Sequence, residues 1–415
     1  MANEPLKHVV AGGGAAGFFA AIACAEADPS APVSIYEAQL RPLAKVRISG
    51  GGRCNVTNAC TEPARLVAYY PRGDRELLGP FHRWQPRDTM AWFEDRGIEL
   101  KTEPDGRVFP ASDDSGTVID CLRGAAAKAG VRLHLGCGVE DVTRGESGRG
   151  YRVRLAGGGS AEADTVLLAT GGGQGSAGLA IAGRLGHAIE PPVPSLFTFH
   201  VADPRIKDLP GVAVPAAALR ISGSATMAAG PVLVTHGGLS GPGVLRLSAW
   251  GARELALKHY RFTLELSWVG DRPAATVRSE LGAARSAHPA RRLVTWNPAG
   301  IPSRLWERLL AAAAVPAETL WAAASNAALD AIVSQLTAGR FEVSGKSTNK
   351  EEFVTCGGVR LSEVDFKTMQ SRVSPGLFLA GEVLDIDGLT GGFNLQAAWT
   401  TGRLAGLGMA ALRRD

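Results

Sequence analysis

The segment HVVAGGGAAG at residues 8–17 constrains the fold most. Gly12, Gly14 and Gly17 form GxGxxG directly after an apolar strand and at the start of an apolar helix-forming run. In a dinucleotide-binding turn the first glycine permits the corner, the second lets backbone amides approach a pyrophosphate, and the third lets helix and strand pack closely. The positive pole of the helix then faces the anion. A glycine-rich chain can produce this spacing by accident, so the surroundings decide. Glu37 ends the second strand, APVSIYEA, twenty residues beyond Gly17, where an acidic side chain meets ribose hydroxyls. This fingerprint serves FAD and NAD alike.

A chain of 415 residues exceeds what one core usually holds, so two or three domains are expected. Amphipathic helices follow in WQPRDTMAWFEDRGIEL and TVIDCLRGAAAKAG, closed by Gly97 and Gly130, with a hairpin turn at Asp105 and Gly106 between them. VRLHLGCGVEDVTR and YRVRLAGG alternate as half-buried strands do, and DTVLLATGGG is a buried strand running into glycines. From Pro191 on, prolines and short strands describe a β-rich insert. Residues from about 271 to 339 read as helical, and the closing SPGLFLAGEVLDIDGLTGGFNLQAAWTTGRLAGLGMAALRR repeats the strand, glycine loop and helix of the start. The expectation is an α/β fold with a discontinuous Rossmann-like dinucleotide-binding domain at 1–190 plus 372–415. A β-rich domain is expected at 191–270 plus 340–371, and a small helical domain at 271–339.

Net charge is +4, from 44 basic and 40 acidic residues, too balanced to imply a polyanion partner. Residues 253–308 are locally basic, with ten Lys/Arg against five Asp/Glu, and their scatter reads more readily as a solvated helical face than as a nucleic-acid footprint. No run approaches the ~20 apolar residues that span a bilayer, and no signal-peptide run opens the chain, so no membrane partner and a cytoplasmic location are expected. Six cysteines without a CxxC pair, and without histidines at zinc spacing, signal neither a metal site nor a redox dithiol.

The stretch SGGGRCNVTN at 49–58 crowds Ser49, Arg53, Cys54, Asn55, Thr57 and Asn58 around three glycines, as a ligand cradle would. Two features favour FAD. ATGGGQG at 169–175 follows a strand without reproducing a second dinucleotide fingerprint, and LFLAGEVLDIDG leads through GGFNLQAAW into a helix whose positive end can face an electron-rich ring.

Taken in order, GGGAAG, KVRISGGGRCNVTN, DGRVFP, ATGGG, THGGLSGPG, VTCGGV and AGEVLDIDGLTGGFNLQAAWTTG resemble the bacterial flavoproteins labelled aminoacetone oxidase family or NAD(P)/FAD-dependent oxidoreductases, over nearly the whole chain. The resemblance implies a glutathione-reductase-like domain binding FAD non-covalently, with barrel-like and helical insertions. It places Gly12, Gly14, Ala15 and Ala16 at the pyrophosphate, Glu37 at the ribose, and the Val139 backbone at adenine. Lys45, Arg53, Cys54, Asn55 and Thr57 would run along the ribityl chain and ring, with Gly381, Glu382, Gly392, Asn394 and Leu395 on the other side. Ala38, Ser49, Gly52, Thr170 and Gly171 complete the expected cofactor contacts. One departure is the short GGGQGSAGLAIAG, where the family has a longer loop carrying a Tyr-Pro pair.

The expected activity is hydride transfer through flavin N5, as an NAD(P)H-fed reductase of an activated C=C bond in a small-molecule or nucleobase substrate bound between the Rossmann domain and the insert. The resemblance extends this to a uracil ring in ribosomal RNA. An amine oxidase using dioxygen, and a non-catalytic FAD-containing RNA-binding protein, stay open. Arg53, Cys54 and His236 are the candidates for a catalytic role. Cys54 reads more readily as packing or flavin contact, and Arg53 as the partner of a phosphate, carboxylate or flavin. Cys356 reads as core, with Gly357 and Gly358 offering close approach to the flavin. GLSGPG lacks the final glycine of a nucleophile elbow, and GKS at 345–347 lacks the spacing of a P-loop. His187 and His200 have no evident ligand partners, and Glu382, Asp385 and Asp387 suit hydrogen bonding better than metal binding.

Overall fold

The computed structural model describes residues 5–145, 149–347 and 354–412. They form two compact units, Met1–Pro194 with Lys350–Asp415, and Ser195–Asn349.

The first unit is built on a seven-stranded sheet. Five strands are mutually parallel, in the order Leu377–Leu379, Thr165–Leu168, β1 (His8–Ala11), β2 (Val33–Glu37) and Arg132–Leu135. The short antiparallel strands Gln370–Ser371 and Val364–Asp365 extend one edge. β1, Thr165–Leu168 and Leu377–Leu379 are buried at every position, as the centre of a covered parallel sheet requires. Helix α1 (Ala15–Ala27) follows β1 and packs on the C-terminal helix Phe393–Ala411. Small residues set that approach. A Cβ on Gly402 would lie 2.5 Å from the Ala16 carbonyl oxygen, and one on Gly406 only 2.1 Å from that of Ala20. Side sheets of three strands, Thr57–Asn58 with Arg107–Pro110 and Leu100–Thr102, and Val139–Arg144 with Tyr151–Leu155 and Ser160–Ala163, flank the main one.

The second unit holds a closed six-stranded barrel of Phe199–Val201, Gly238–Ser240, Met227–Thr235, Ala213–Ile221, Phe262–Ser267 and Gly339–Lys346. Its helices Ala274–Ala287, Ser303–Ala312 and Asn326–Thr337 turn apolar faces inward through Val277, Leu281, Leu305, Trp306, Leu309 and Leu329.

The α/β architecture with an inserted barrel and helices matches the expectation. Residues 354–371, expected in the β-rich insert, lie in the first unit, where Val354–Val359 pairs with Ile189–Ser195 and the following hairpin edges the main sheet. Helical residues 271–339, expected as a separate domain, belong to the same unit as the barrel. A strand pattern announces a strand without naming its sheet. Phe353, at the start of the strand-like FVTCGGVRL, lies outside the described residues.

Candidate active site

The opening glycines divide their work as the fingerprint requires. Gly12 takes φ +109°, and a Cβ there would sit 2.4 Å from the Ala169 carbonyl oxygen, beside Thr170. A Cβ on Gly17 would sit 2.0 Å from the Gly12 oxygen. Both glycines are demanded by packing. Above Gly14 a Cβ would meet nothing within 4 Å, so the backbone at the start of α1 faces open space, and no side chain caps the helix. The Glu37 carboxylate accepts the Gly13 amide at 2.6 Å and the Gln39 amide at 2.8 Å. Those bonds fix its direction and leave lone pairs for ribose hydroxyls. Cys137 donates its amide to the Glu37 carbonyl, and Gly138 lies against Ala38, so the start of Val139–Arg144 lies directly beside the end of β2.

Ser49–Gly52 forms a tight turn in which Gly50, Gly51 and Gly52 hold φ +59°, +71° and +88°. Gly51 and Gly52 have open space where side chains would be. Cys54 also takes a left-handed φ of +63°, uncommon for a residue with a Cβ, and donates its amide to the Ser49 carbonyl. The next four residues each tie to the C-terminal strand-loop-helix. With its amide oriented to satisfy both neighbours, Asn55 accepts the Gly392 N–H at 2.9 Å, and the Val56 carbonyl accepts Trp399 Nε1 at 2.9 Å. Thr57 donates to Gln396 at 2.5 Å and Asn58 to the Gly391 carbonyl at 3.0 Å.

On the far side Gly381, at φ +73°, donates to Thr401 Oγ1 and meets Ala16. Gly392, at φ +92°, lies so close to Thr57 that a Cβ would be 2.3 Å from its carbonyl oxygen. Apart from the Asn55 oxygen on the Gly392 N–H, no side-chain cap closes the start of the C-terminal helix, beside Asn55 and Thr57. Asn394 folds back to bond both the amide and the carbonyl of Gly388, each at 2.8 Å. Leu395 is half-buried. Thr170 Oγ1 and the Gly171 carbonyl both bond Ser176, bracing the glycine loop beyond Thr165–Leu168.

Other expected residues have different occupations. Lys45 and Glu382, expected on opposite sides of the cofactor, form an ion pair, and Glu382 also accepts the Thr355 amide at 3.1 Å. Arg53 pairs with Glu103 at 2.7 Å and Asp113 at 3.4 Å, so its carboxylate partners come from its own chain. Cys54 is buried, and burial pushes its thiol up to about 12, which leaves no nucleophilic thiolate near neutral pH. His236 is exposed in the second unit, in the turn between Met227–Thr235 and Gly238–Ser240. His187 is buried between Glu363 and Ser371, each 2.8 Å away, in a structural role. Gly357 and Gly358 approach the backbone of Pro191 and Leu384, so their close contact is with this chain. Asp387 is fully buried and held by Arg72 through two nitrogens. Among the described residues no group of three or more His, Cys, Asp or Glu could hold a metal. In the basic segment Lys258, Arg272, Arg278 and Arg292 pair with Glu254, Glu280, Asp330 and Glu318.

Gln396, Trp399, Tyr70 and Arg72 frame the cradle without having been singled out in the sequence. Polar Gln396 and Thr400 at i and i+4 in a largely apolar helix were the available signal, since buried polar side chains need partners.

The backbone left open at Gly14, Gly51 and Gly52, the oriented Glu37 and two helix starts whose own cap residues are glycines suit a long dinucleotide with a phosphate at one helix and a ring system at the other. These features define an FAD-binding Rossmann-like domain. The chain matches the HI0933-like protein Rossmann domain family over residues 6–408 and belongs to it, as an FAD-dependent oxidoreductase. It is 30% identical over 408 residues to the ribosomal RNA dihydrouridine synthase of Escherichia coli, covering 96% of each chain. It is 31% identical over 409 residues to the 3-dehydro-bile acid delta(4,6)-reductase of Clostridium scindens, covering 96% of this chain and 97% of that one. The 3-ketosteroid-delta4-(5alpha)-dehydrogenase of Rhodococcus jostii RHA1, solved with 4-androstene-3,17-dione, shares the fold at TM-score 0.51 and 16% identity, covering 99% of this chain and 98% of that one.

Proposed function

We propose that the chain reduces a carbon–carbon double bond conjugated to a carbonyl, with electrons from NAD(P)H. FAD, when bound, supplies the exchange of hydride between nicotinamide and double bond. The first-turn amides of α1 at Gly14, Ala15 and Ala16 would hold its pyrophosphate, Glu37 its ribose, and Val139 and Ala38 the adenine end. Lys45, Ser49, Gly52, Asn55, Thr170, Gly171, Gly381, Glu382, Gly392, Asn394 and Leu395 would line the rest, while Thr57, fully buried against Gln396, would support them from behind.

The observation that carries this reading is the start of the C-terminal helix beside Asn55 and Thr57, whose amides and dipole stabilise negative charge in front of them. The buried Cys54 thiol leaves thiol chemistry without a nucleophile in the same cradle. The names of the two curated relatives support the substrate class. Making dihydrouridine saturates a ring double bond conjugated to a carbonyl, and a delta(4,6)-reductase of a 3-dehydro bile acid does the same to a steroid ring. A uracil ring in ribosomal RNA is the macromolecular member of that class, and a role on it goes with a cytoplasmic location.

Anaerobic titration with NADPH and NADH tests the proposal. The yellow absorbance should bleach, then recover on adding either a uridine-containing ribosomal RNA fragment or a 3-oxo-4,6-diene steroid, which separates the two substrates. Recovery with neither, together with bleaching by a small amine and peroxide release in air, would replace the reductase by an oxidase.

A further inference from the structure

The geometry points to Arg53 as a positioning residue that locks the glycine cradle onto the Leu100–Pro110 hairpin and so sets FAD affinity without touching the cofactor. This rests on the flavin site described above and is independent of the substrate.

The chain itself engages one edge and one face of the Arg53 guanidinium, and its side chain stays 32% exposed. Nη1 donates to Glu103 at 2.7 Å and to Asp113 at 3.4 Å, Nε points to the Gly50 carbonyl at 3.4 Å, and the guanidinium carbon lies 3.9 Å from the centre of the Phe109 ring. Its partners are themselves held, since Arg107 donates to the other Glu103 oxygen at 2.7 Å and Lys101 to the other Asp113 oxygen at 2.5 Å. Arg107 also bonds Asp105. Three cations therefore meet three carboxylates, and no net positive charge is left to draw an anion.

The hairpin grips the cradle at both ends. Downstream, Thr57–Asn58 pairs with Arg107–Val108, the Val56 amide donates to the Val108 carbonyl at 2.9 Å, and the Ala59 amide donates to the Gly106 carbonyl at 2.7 Å. Upstream, Phe109 packs so tightly on Gly50 that a Cβ there would lie 2.7 Å from its ring, and Arg53 closes the same corner. Between these anchors stand Gly51 and Gly52, open where a ligand fits, and Cys54 in its left-handed conformation. A residue with a Cβ persists in that conformation only when its surroundings over-determine it. Arg53 is the charged part of that surrounding.

The test measures FAD affinity of the apoprotein by flavin fluorescence, with the visible spectrum and thermal midpoint recorded for each variant. Glu103→Gln should weaken FAD binding about tenfold and shift the flavin bands, and Arg53→Gln should do the same. The double variant should be no worse than either single one, and Arg53→Lys should recover part of the loss. If Arg53→Gln does not fold, Glu103→Gln and Asp113→Asn carry the test alone. Wild-type FAD affinity and spectrum in Glu103→Gln, alongside weakened binding in Arg53→Gln, would make Arg53 a direct ligand and overturn the inference. No donor or substrate enters the measurement, so an error in the proposed reaction leaves its outcome unchanged.

Discussion

Thr57 and Gln396 stand 339 positions apart and share a buried hydrogen bond of 2.5 Å, in which the Thr57 hydroxyl donates to the Gln396 side-chain carbonyl. Gln396 passes the chain on to Thr400 at 3.0 Å, and Thr400 to the Trp84 carbonyl at 3.0 Å. Neither Thr57 nor Gln396 has solvent access, so no water replaces a lost partner. Thr57→Val should cost about 1–3 kcal/mol in urea unfolding, because a buried acceptor loses its donor, and FAD should dissociate more readily from the folded variant. Thr57→Ser keeps the hydroxyl and should recover most of both. A Thr57→Val protein as stable as the parent would mean that this bond contributes nothing net.

Cys54 offers the sharpest test of what the cradle does not do. Its thiol sits at about 12 because burial disfavours the thiolate, with only Ser49 bonding it in the opposite sense, so it stays protonated throughout the neutral range. Iodoacetamide at pH 8 should leave Cys54 unmodified in the native protein, as peptide mass mapping would show. Cys54→Ala should lose about 1 kcal/mol of stability through lost packing, with turnover falling less than about tenfold. Abolished turnover with FAD still bound would give the thiol a chemical part.

What the sequence disclosed and what it withheld divide along physical lines. Gly12, Gly14, Gly17 and Glu37 act through local backbone geometry within one strand-turn-helix-strand unit, so their spacing was readable. The left-handed glycines at 50–52 were readable for the same reason. Arg53 was not, because choosing between a phosphate and Glu103 depends on a hairpin fifty residues away. Lys45 and Glu382 show the same limit at 337 residues of separation. Helix Asp74–Arg83 carries Pro80 inside it, where proline removes an intrahelical hydrogen bond, so local propensity gave no sign of it. Residues 354–371 carried a clear strand pattern but no mark of which sheet would accept them.

Two glycines of the fingerprint should fail differently. Gly17→Ala forces a Cβ to within 2.0 Å of the Gly12 oxygen, and its backbone partners cannot step aside, so a loss of about 3 kcal/mol or more is expected, with little soluble protein. Gly14→Ala adds a methyl group that meets no protein atom within 4 Å, on a backbone at φ −89° that alanine adopts freely. That variant should fold with a thermal midpoint near the parent's and yet purify with little FAD, because the methyl group occupies the space kept for the pyrophosphate. Calorimetry and the ratio of flavin to protein absorbance distinguish the outcomes. Full FAD content in Gly14→Ala would move the pyrophosphate away from α1.

His8 ties the stability of the sheet to pH. It lies in β1, almost without solvent access, with Nδ1 2.7 Å from Thr165 Oγ1 on the neighbouring strand and Nε2 without a partner. Burial pushes its pKa below the ordinary 6.5, against the opposing charges of Asp164 and Asp28. The native protein therefore holds His8 neutral at a pH where the unfolded chain already binds a proton, and the unfolded state gains relative stability as pH drops. The stabilisation is complete above about 6.5 and declines progressively below it, as far down as the lowered native pKa. His8→Asn keeps a polar atom facing Thr165 and cannot titrate. Between pH 7.5 and 5.5 the parent should lose thermal stability faster than His8→Asn, and the gap between their melting temperatures should narrow as pH falls. Parallel curves would show that His8 protonates equally in both states.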